Sequence, residues 1–183
     1  PAGPLSNPAT DYGDRDAVIE SVRVLDGAGV ENATFKPGDI VVVEIRYRML
    51  KSLTRLNVGF RLRNKEGLKV YSGGTFANDV NRWHRDPEAP GFWSEQFSLG
   101  EELVLRASFE CILGPNFYEV QAFICEEAEP RPDHQRMIHW KDEAAFFTVV
   151  MNRSECWFGG VCDLRVRSEV IRPVLGGQTT VES

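Results

Sequence analysis

Three histidines and a scatter of carboxylates are the first side chains to test for chemistry. His84-Arg85-Asp86 is an HxD triplet, and His134 or His139 follows about fifty residues later. Two histidines and a carboxylate on one face of a jelly roll can hold Fe(II), with positions open for oxygen and a co-substrate. The triplet is a common one, it lies in a Pro- and Trp-rich stretch, and no arginine beyond Arg153 is placed to grip a 2-oxoacid. Loop or surface histidines are the plainer reading, with a non-haem iron oxygenase as the alternative. Acidic pairs occur at Glu126-Glu127 and Asp142-Glu143, but a glycosidase needs its two carboxylates about 5–10 Å apart across a cleft. Adjacent acids in a polar stretch read as solvated surface. The motifs GxxxxGK[ST], GxGxxG and GxSxG are all missing, which removes the simplest nucleotide-binding and hydrolase chemistries. Cys111 and Cys125 lie in apolar runs, where free cysteine acts as a small hydrophobe. Cys156 and Cys162 could pair or join a zinc site, but no CxxC supports a metal. Free thiols in a reducing compartment follow, and no cofactor is expected.

The elements that must position these residues belong to one domain. The chain has 183 residues, 42% hydrophobic and 26% charged, enough for a full core without disulfides or metals. A net charge of −6 speaks against a nucleic-acid partner. No apolar run approaches the roughly 18 residues of a membrane span, and no signal peptide opens the chain. The first residue is Pro rather than Met, as expected of a piece excised from something longer. Residues 1–14, with a start rich in proline, read as a linker or arm, 15–170 as the folded domain and 171–183 as a flexible tail.

Within the domain, short runs alternate with period 2 between Gly, Pro and Asn signals. Val41, Val43, Ile45, Tyr47 and Met49 share one face, opposed by Glu44, Arg46 and Arg48. Leu56, Val58, Phe60 and Leu62 oppose Asn57, Arg61 and Arg63, and Asn64-Lys65-Glu66-Gly67 turns the chain into a hairpin partner at 68–72. Further strands are predicted at 17–25, 93–99, 103–111, 117–125, 144–151 and 159–168. Two polar stretches, 74–92 and 126–141, break the rhythm and read as a long loop and an insertion. No segment carries helical periodicity over three turns. Strands joined by turns imply an all-β, antiparallel sandwich of jelly-roll or immunoglobulin-like kind.

The order of these motifs resembles one family, the carboxy-terminal carbohydrate-binding domain of Wzt-type ABC transporter ATPases. The resembling runs are Ala17–Asp26 (AVIESVRVLD), Phe35–Asp39 (FKPGD) and Val58–Ser72 (VGFRLRNKEGLKVYS), a strand-turn-strand with the family's x-G-F pattern. Asn116–Ala122 (NFYEVQA) is similar to a core strand that usually begins Gly-x-Tyr; here the glycine stands at Gly114. His139–Val149 (HWKDEAAFFTV) and Phe158–Val161 (FGGV) are similar to the closing pair. The resemblance spans roughly 15–168. It implies recognition without catalysis, at the non-reducing end of a lipid-linked, O-antigen-type polysaccharide, coupling chain completion to export. It also implies a fused upstream ATPase domain, a membrane-spanning transporter partner, a cytoplasmic place at the inner face of the inner membrane, and a homodimer. Val161–Ser168 is a run that could be exchanged between copies, with Phe158-Gly159-Gly160 as its hinge, and an unswapped final strand fits the sequence at least as well.

A glycan offers hydroxyls and C–H-rich faces, so its site needs fork-like hydrogen-bonding groups and an aromatic platform. In an immunoglobulin-like order, 56–64, 117–125 and 144–151 share a sheet, which places Asn57, Arg61, Arg63 and Gln121 on one exposed surface. The stretch 74–92 would roof it with Asn78, Trp83 and His84, and 126–141 would add His139 and Trp140, although Trp140 reads better as a packing residue. A solvated sheet face and loop packing are the plain alternatives for the arginines and for Trp83. An extracellular immunoglobulin-like adhesion module is the remaining reading, and a disulfide would favour it.

Overall fold

The computed structural model describes residues 11–129 and 135–171. Its strands are those that alternation demands. In β4 (Ile40–Met49) the residues Val41, Val43, Ile45, Tyr47 and Met49 are buried while Arg46 and Arg48 face water. β-Branched and aromatic residues on one parity give a strand a face that must be covered. β4 is the middle of a three-stranded antiparallel sheet, between β2 (Ala17–Asp26) and β9 (Glu102–Glu110).

The cover is a second, larger sheet. Its order is β1 (Asp11–Tyr12), β11 (Gln135–Val149), β10 (Asn116–Glu127), β6 (Leu56–Asn64), β7 (Lys69–Gly74), with β3 (Thr34–Phe35) parallel to the end of β11. From β6 and β10, Leu56, Val58, Leu62, Tyr118, Val120 and Ile124 pack against the buried face of β4 in a single core. Each such side chain contributes about 1.5–3 kcal/mol by leaving water, which is why the alternation is maintained along whole strands. A small pair, β5 (Leu53–Thr54) and β8 (Gln96–Phe97), closes one end. The antiparallel sandwich predicted from the sequence is therefore the observed fold.

Four segments differ from the sequence reading. The stretch 74–92 holds a helix, α1 (Thr75–Trp83), followed by a single 3₁₀ turn at Phe92–Ser94. Phe76, Asp79 and Trp83 fall at i, i+3 and i+7, so the buried stripe is too short for a three-turn test and carries a carboxylate in its middle. The polar stretch 126–141 is mostly strand: β10 runs to Glu127 and β11 starts at Gln135, and these two side chains bond each other at 2.7 Å. The expected final strand 159–168 is not a strand: it has no sheet partner among the described residues apart from the bridge Leu113↔Cys162, and Arg165 takes a left-handed φ of +53°. β1 lies in the stretch read as an arm and pairs with β11 through Asp11↔Lys141 and Tyr12↔Trp140. Most of residues 1–14 and 171–183 fall outside the described residues.

β7 and β9 end their sheets on the same side of the sandwich, and a groove of about 600 Å³ stays open between them. Phe60, Leu62, Leu105, Ala107 and Phe109 line it. The inward residues of β9 are consequently only half-buried.

Candidate functional site

Strand parity builds the outer face of the larger sheet. β6 sends Asn57, Arg61 and Arg63 outward, and β10 sends Glu119, Gln121, Phe123, Cys125 and Glu127 the same way. Arg61 and Gln121 are direct cross-strand partners. β11 adds Trp140 opposite Phe123, and β1 adds Tyr12 beside Trp140. The rings form a row: Phe123 and Trp140 stack with centroids 6.0 Å apart, and Trp140 and Tyr12 likewise at 6.0 Å. The Arg61 guanidinium lies 4.5 Å over the Trp140 ring. A cation so placed gains roughly 0.5–2 kcal/mol and is held in one orientation.

The hydrogen-bond inventory of this face is incomplete. Gln121, only 2% exposed, donates its Nε2 to Glu119 Oε1 at 2.9 Å, which fixes the amide and leaves Oε1 over. Among the described residues, Gln121 Oε1 and Arg61 Nε are buried without a partner, and so is Glu127 Oε2. A buried polar group left unpaired costs about 1–3 kcal/mol. Adjacent on paired strands, a donor on Arg61 and an acceptor on Gln121 are the two halves of a hydroxyl's needs.

The expected site residues separate into two groups. Asn57, Arg61, Arg63 and Gln121 do share one face, but Asn57 and Gln121 are buried rather than exposed. The reason is that β6 and β10 are central strands whose outer face is covered too, by aromatic neighbours in the middle and by α1 at the Asn57 end. Asn57 donates to Glu127 Oε1 at 2.8 Å and accepts the Phe76 N–H at 3.2 Å, so it joins α1 to the sheet. Arg63 gives its Nε and one terminal nitrogen to the Gly67 carbonyl and braces the β6–β7 turn. Asn78 lines the open groove between β7 and β9 instead. Trp83 packs edge-on to Phe76 and Trp93 and donates to the Ala89 carbonyl at 2.9 Å, which makes it a packing residue of α1 and not a roof over Arg61. His84 is exposed at the C-terminal end of α1.

The two described histidines of the iron reading, His84 and His139, do not converge either. His139 is buried on the inner side, where Nδ1 accepts the Ile19 N–H at 2.7 Å and Nε2 bonds Asp11. Burial lowers its pKa, while Asp11 pulls the other way. Both ring nitrogens are thus in use inside the fold. His134 lies outside the described residues, and among the described residues no three His, Cys, Asp or Glu side chains gather as metal ligands. All four cysteines are free, Cys156 and Cys162 included.

Sequence reasoning missed Tyr12 and Phe123, and it offered Trp140 to the surface while favouring a packing role for it. Phe123 had a usable signal, an aromatic on the same parity as Gln121 and opposite to Val120, Ala122 and Ile124. Tyr12 had none, because a two-residue strand has no period.

The comparisons agree with this architecture. The family model described as the Wzt C-terminal domain matches residues 8–164. No curated protein matches the sequence. A solved structure titled as the crystal structure of the C-terminal domain of wzt superposes with a TM-score of 0.73 at 16% identity, covering 92% of this chain and 93% of that one. At that identity the likeness speaks for the fold, and the family match over most of the length speaks for descent. The chain belongs to the Wzt C-terminal domain family.

Proposed function

We propose that this is the carbohydrate-binding, non-catalytic domain of a polysaccharide ABC exporter, and that it binds the non-reducing terminus of a lipid-linked, O-antigen-type glycan on the outer face of the larger sheet. The observation that carries the reading is the pair of buried, unpartnered polar atoms Arg61 Nε and Gln121 Oε1 beside the Trp140 row. Family membership supports the exporter setting. In that setting the domain works on the cytoplasmic side of the inner membrane, joined to an ATPase domain and a membrane-spanning partner, and occupancy of the face reports that a chain is finished. No described helix is long and apolar enough to cross a membrane. Arg61 and Gln121 are the central contacts and Arg63 stands at their margin. Asn57 supports the face from behind, and Asn78, Trp83 and His84 take no direct part. Calorimetric titration with the delipidated surface polysaccharide of the source organism tests this. Binding should fall at least about tenfold in Arg61→Ala or Gln121→Ala, the loss of one well-placed hydrogen bond to a charged or oriented group. Undiminished binding in both variants would overturn the assignment.

The homodimer belongs to the same proposal. From Cys162 onward the chain alternates, with Leu164, Val166 and Val170 on one parity and Asp163, Arg165, Arg167 and Glu169 on the other. The three apolar residues are 78%, 74% and 86% exposed. A run of strand-like alternation with its apolar residues in water matches a sandwich whose groove between β7 and β9 is open. A second copy's residues 162–170 fill that groove and pair with β9.

A further inference from the structure

The first described strand is held in place by the same rings that form the candidate glycan platform. Tyr12 stands at the outer end of the Phe123–Trp140–Tyr12 row and is 52% exposed, so it presents a ring edge and face to whatever sits on Arg61 and Gln121. Tyr12 belongs to β1, which has two residues and one neighbour, β11.

Few interactions hold β1 down, and they are specific. Asp11 bonds the buried His139 and also meets Arg15 at 2.9 Å. Since His139 Nδ1 accepts from Ile19, its Nε2 carries the proton and donates it to Asp11. Just beyond β1, Gly13 (φ +124°) has no room for a Cβ against the Ile138 carbonyl oxygen. The Asp14 and Arg15 amides then bond the Met137 and Ile138 carbonyls at 3.3 and 2.8 Å. A strand with two register pairs opens far more readily than the ten-residue strands of the core, because opening it exposes little apolar surface.

We propose that β1 is a ligand-linked clamp: a sugar ring seated across Tyr12 and Trp140, with a hydroxyl between Arg61 and Gln121, fastens β1 onto β11 and so fixes the point from which residues 1–10 depart. This rests on the glycan reading of the same face. A ligand that touches Tyr12 binds the docked form of β1 and not the open form, and so shifts the population toward docking. By linkage, whatever pulls on residues 1–10 and opens β1 weakens sugar binding by the same factor. The domain thereby acquires a mechanical output at its N-terminal side without any change in the sandwich.

Hydrogen exchange followed by mass spectrometry on the full 183-residue chain tests this, with the delipidated polysaccharide of the source organism as probe. Saturating polysaccharide is expected to slow exchange in peptides covering Asp14 and Arg15 about tenfold or more, as linkage requires of a ligand that binds the docked form alone. Tyr12→Ala should bind about 3- to 10-fold more weakly, the worth of one aromatic contact. Asp11→Asn should speed exchange at Asp14 and Arg15 in the free protein, and should weaken binding in proportion to the docked fraction that it removes. If wild type binds, Arg61→Ala abolishes binding, and yet neither β1 exchange nor the affinity of Tyr12→Ala changes, the clamp is wrong and the glycan site stands. If wild type binds nothing, the glycan reading and the clamp fall together.

Discussion

Asn57 spends both ends of its side-chain amide inside the protein, on Glu127 and on the Phe76 N–H, and this separates it from its neighbour Arg61, whose Nε has no partner. Asn57→Ala is expected to lower unfolding free energy by about 1–3 kcal/mol, since it strands the buried Phe76 N–H and leaves Glu127 Oε1 with Gln135 as its remaining amide donor. Urea titration measures that loss. Glu44 makes the opposite case on the smaller sheet. It is buried on an outward position, bonded first by Arg23 and then by Arg106 and Arg46, and these arginines hold its carboxyl at about 2 against burial, which works to raise it. A carboxylate whose folded pKa lies below its unfolded value stabilises the fold above the unfolded pKa, and that contribution is lost on acidification. For Glu44 the window runs from 4.5 down to about 2. Wild type should therefore lose more stability between pH 6 and pH 3 than Glu44→Gln does, as read from urea midpoints at the two pH values. Equal losses would remove Glu44 from the acid response.

At the scale of elements, the β6–β7 edge and the α1–3₁₀ junction decide whether the candidate face keeps its shape. Gly59 pairs with Gly74, and a Cβ there would strike the Gly73 carbonyl oxygen and come within 2.8 Å of the Phe123 ring. Gly59→Ala should cost about 1–3 kcal/mol through overpacking and displace the Phe123 end of the aromatic row, visible as shifted Phe123 and Trp140 ring resonances. Asp79, buried on α1, receives the Phe92 and Trp93 amides at 3.1 and 2.8 Å. Its replacement by Ala should release the 84–95 segment, raising amide exchange there while leaving β10 and β11 protected. These elements also mark where the sequence stops being legible. β4, β9 and β10 could be read because the parity that faces the core is apolar along most of each, so period 2 survives in the residue types. α1 could not, because nine residues give two repeats and one of them is Asp79. The burial of Gln121 could not be read either. It depends on an aromatic row of which only Phe123 lies on the strand that carries Gln121.

The whole molecule is a sandwich with one closed and one open side, and its terminal segments engage those two sides differently. The N-terminal strand β1 pairs with β11 beside the aromatic row, while residues 164–171 run out exposed past a groove that stays open among the described residues. A sandwich was legible from alternation and turn spacing, and the family from motif order, but an open side is a property of two sheet edges together and no single run encodes it. Exchange of residues 162–170 between copies predicts that Leu164→Asp with Val166→Asp converts a dimer to a monomer in sedimentation velocity while the core strands keep their circular dichroism. A wild-type monomer at micromolar concentration would contradict the exchange. The central claim is that the outer face of the larger sheet reads a glycan's end. Its most direct test is calorimetric titration of the chain with delipidated polysaccharide, intact and with the non-reducing terminal residue removed by an exoglycosidase. Binding to the intact form is expected, with loss after trimming and loss in Arg61→Ala. Equal binding to both forms, or intact binding by Arg61→Ala, would contradict it.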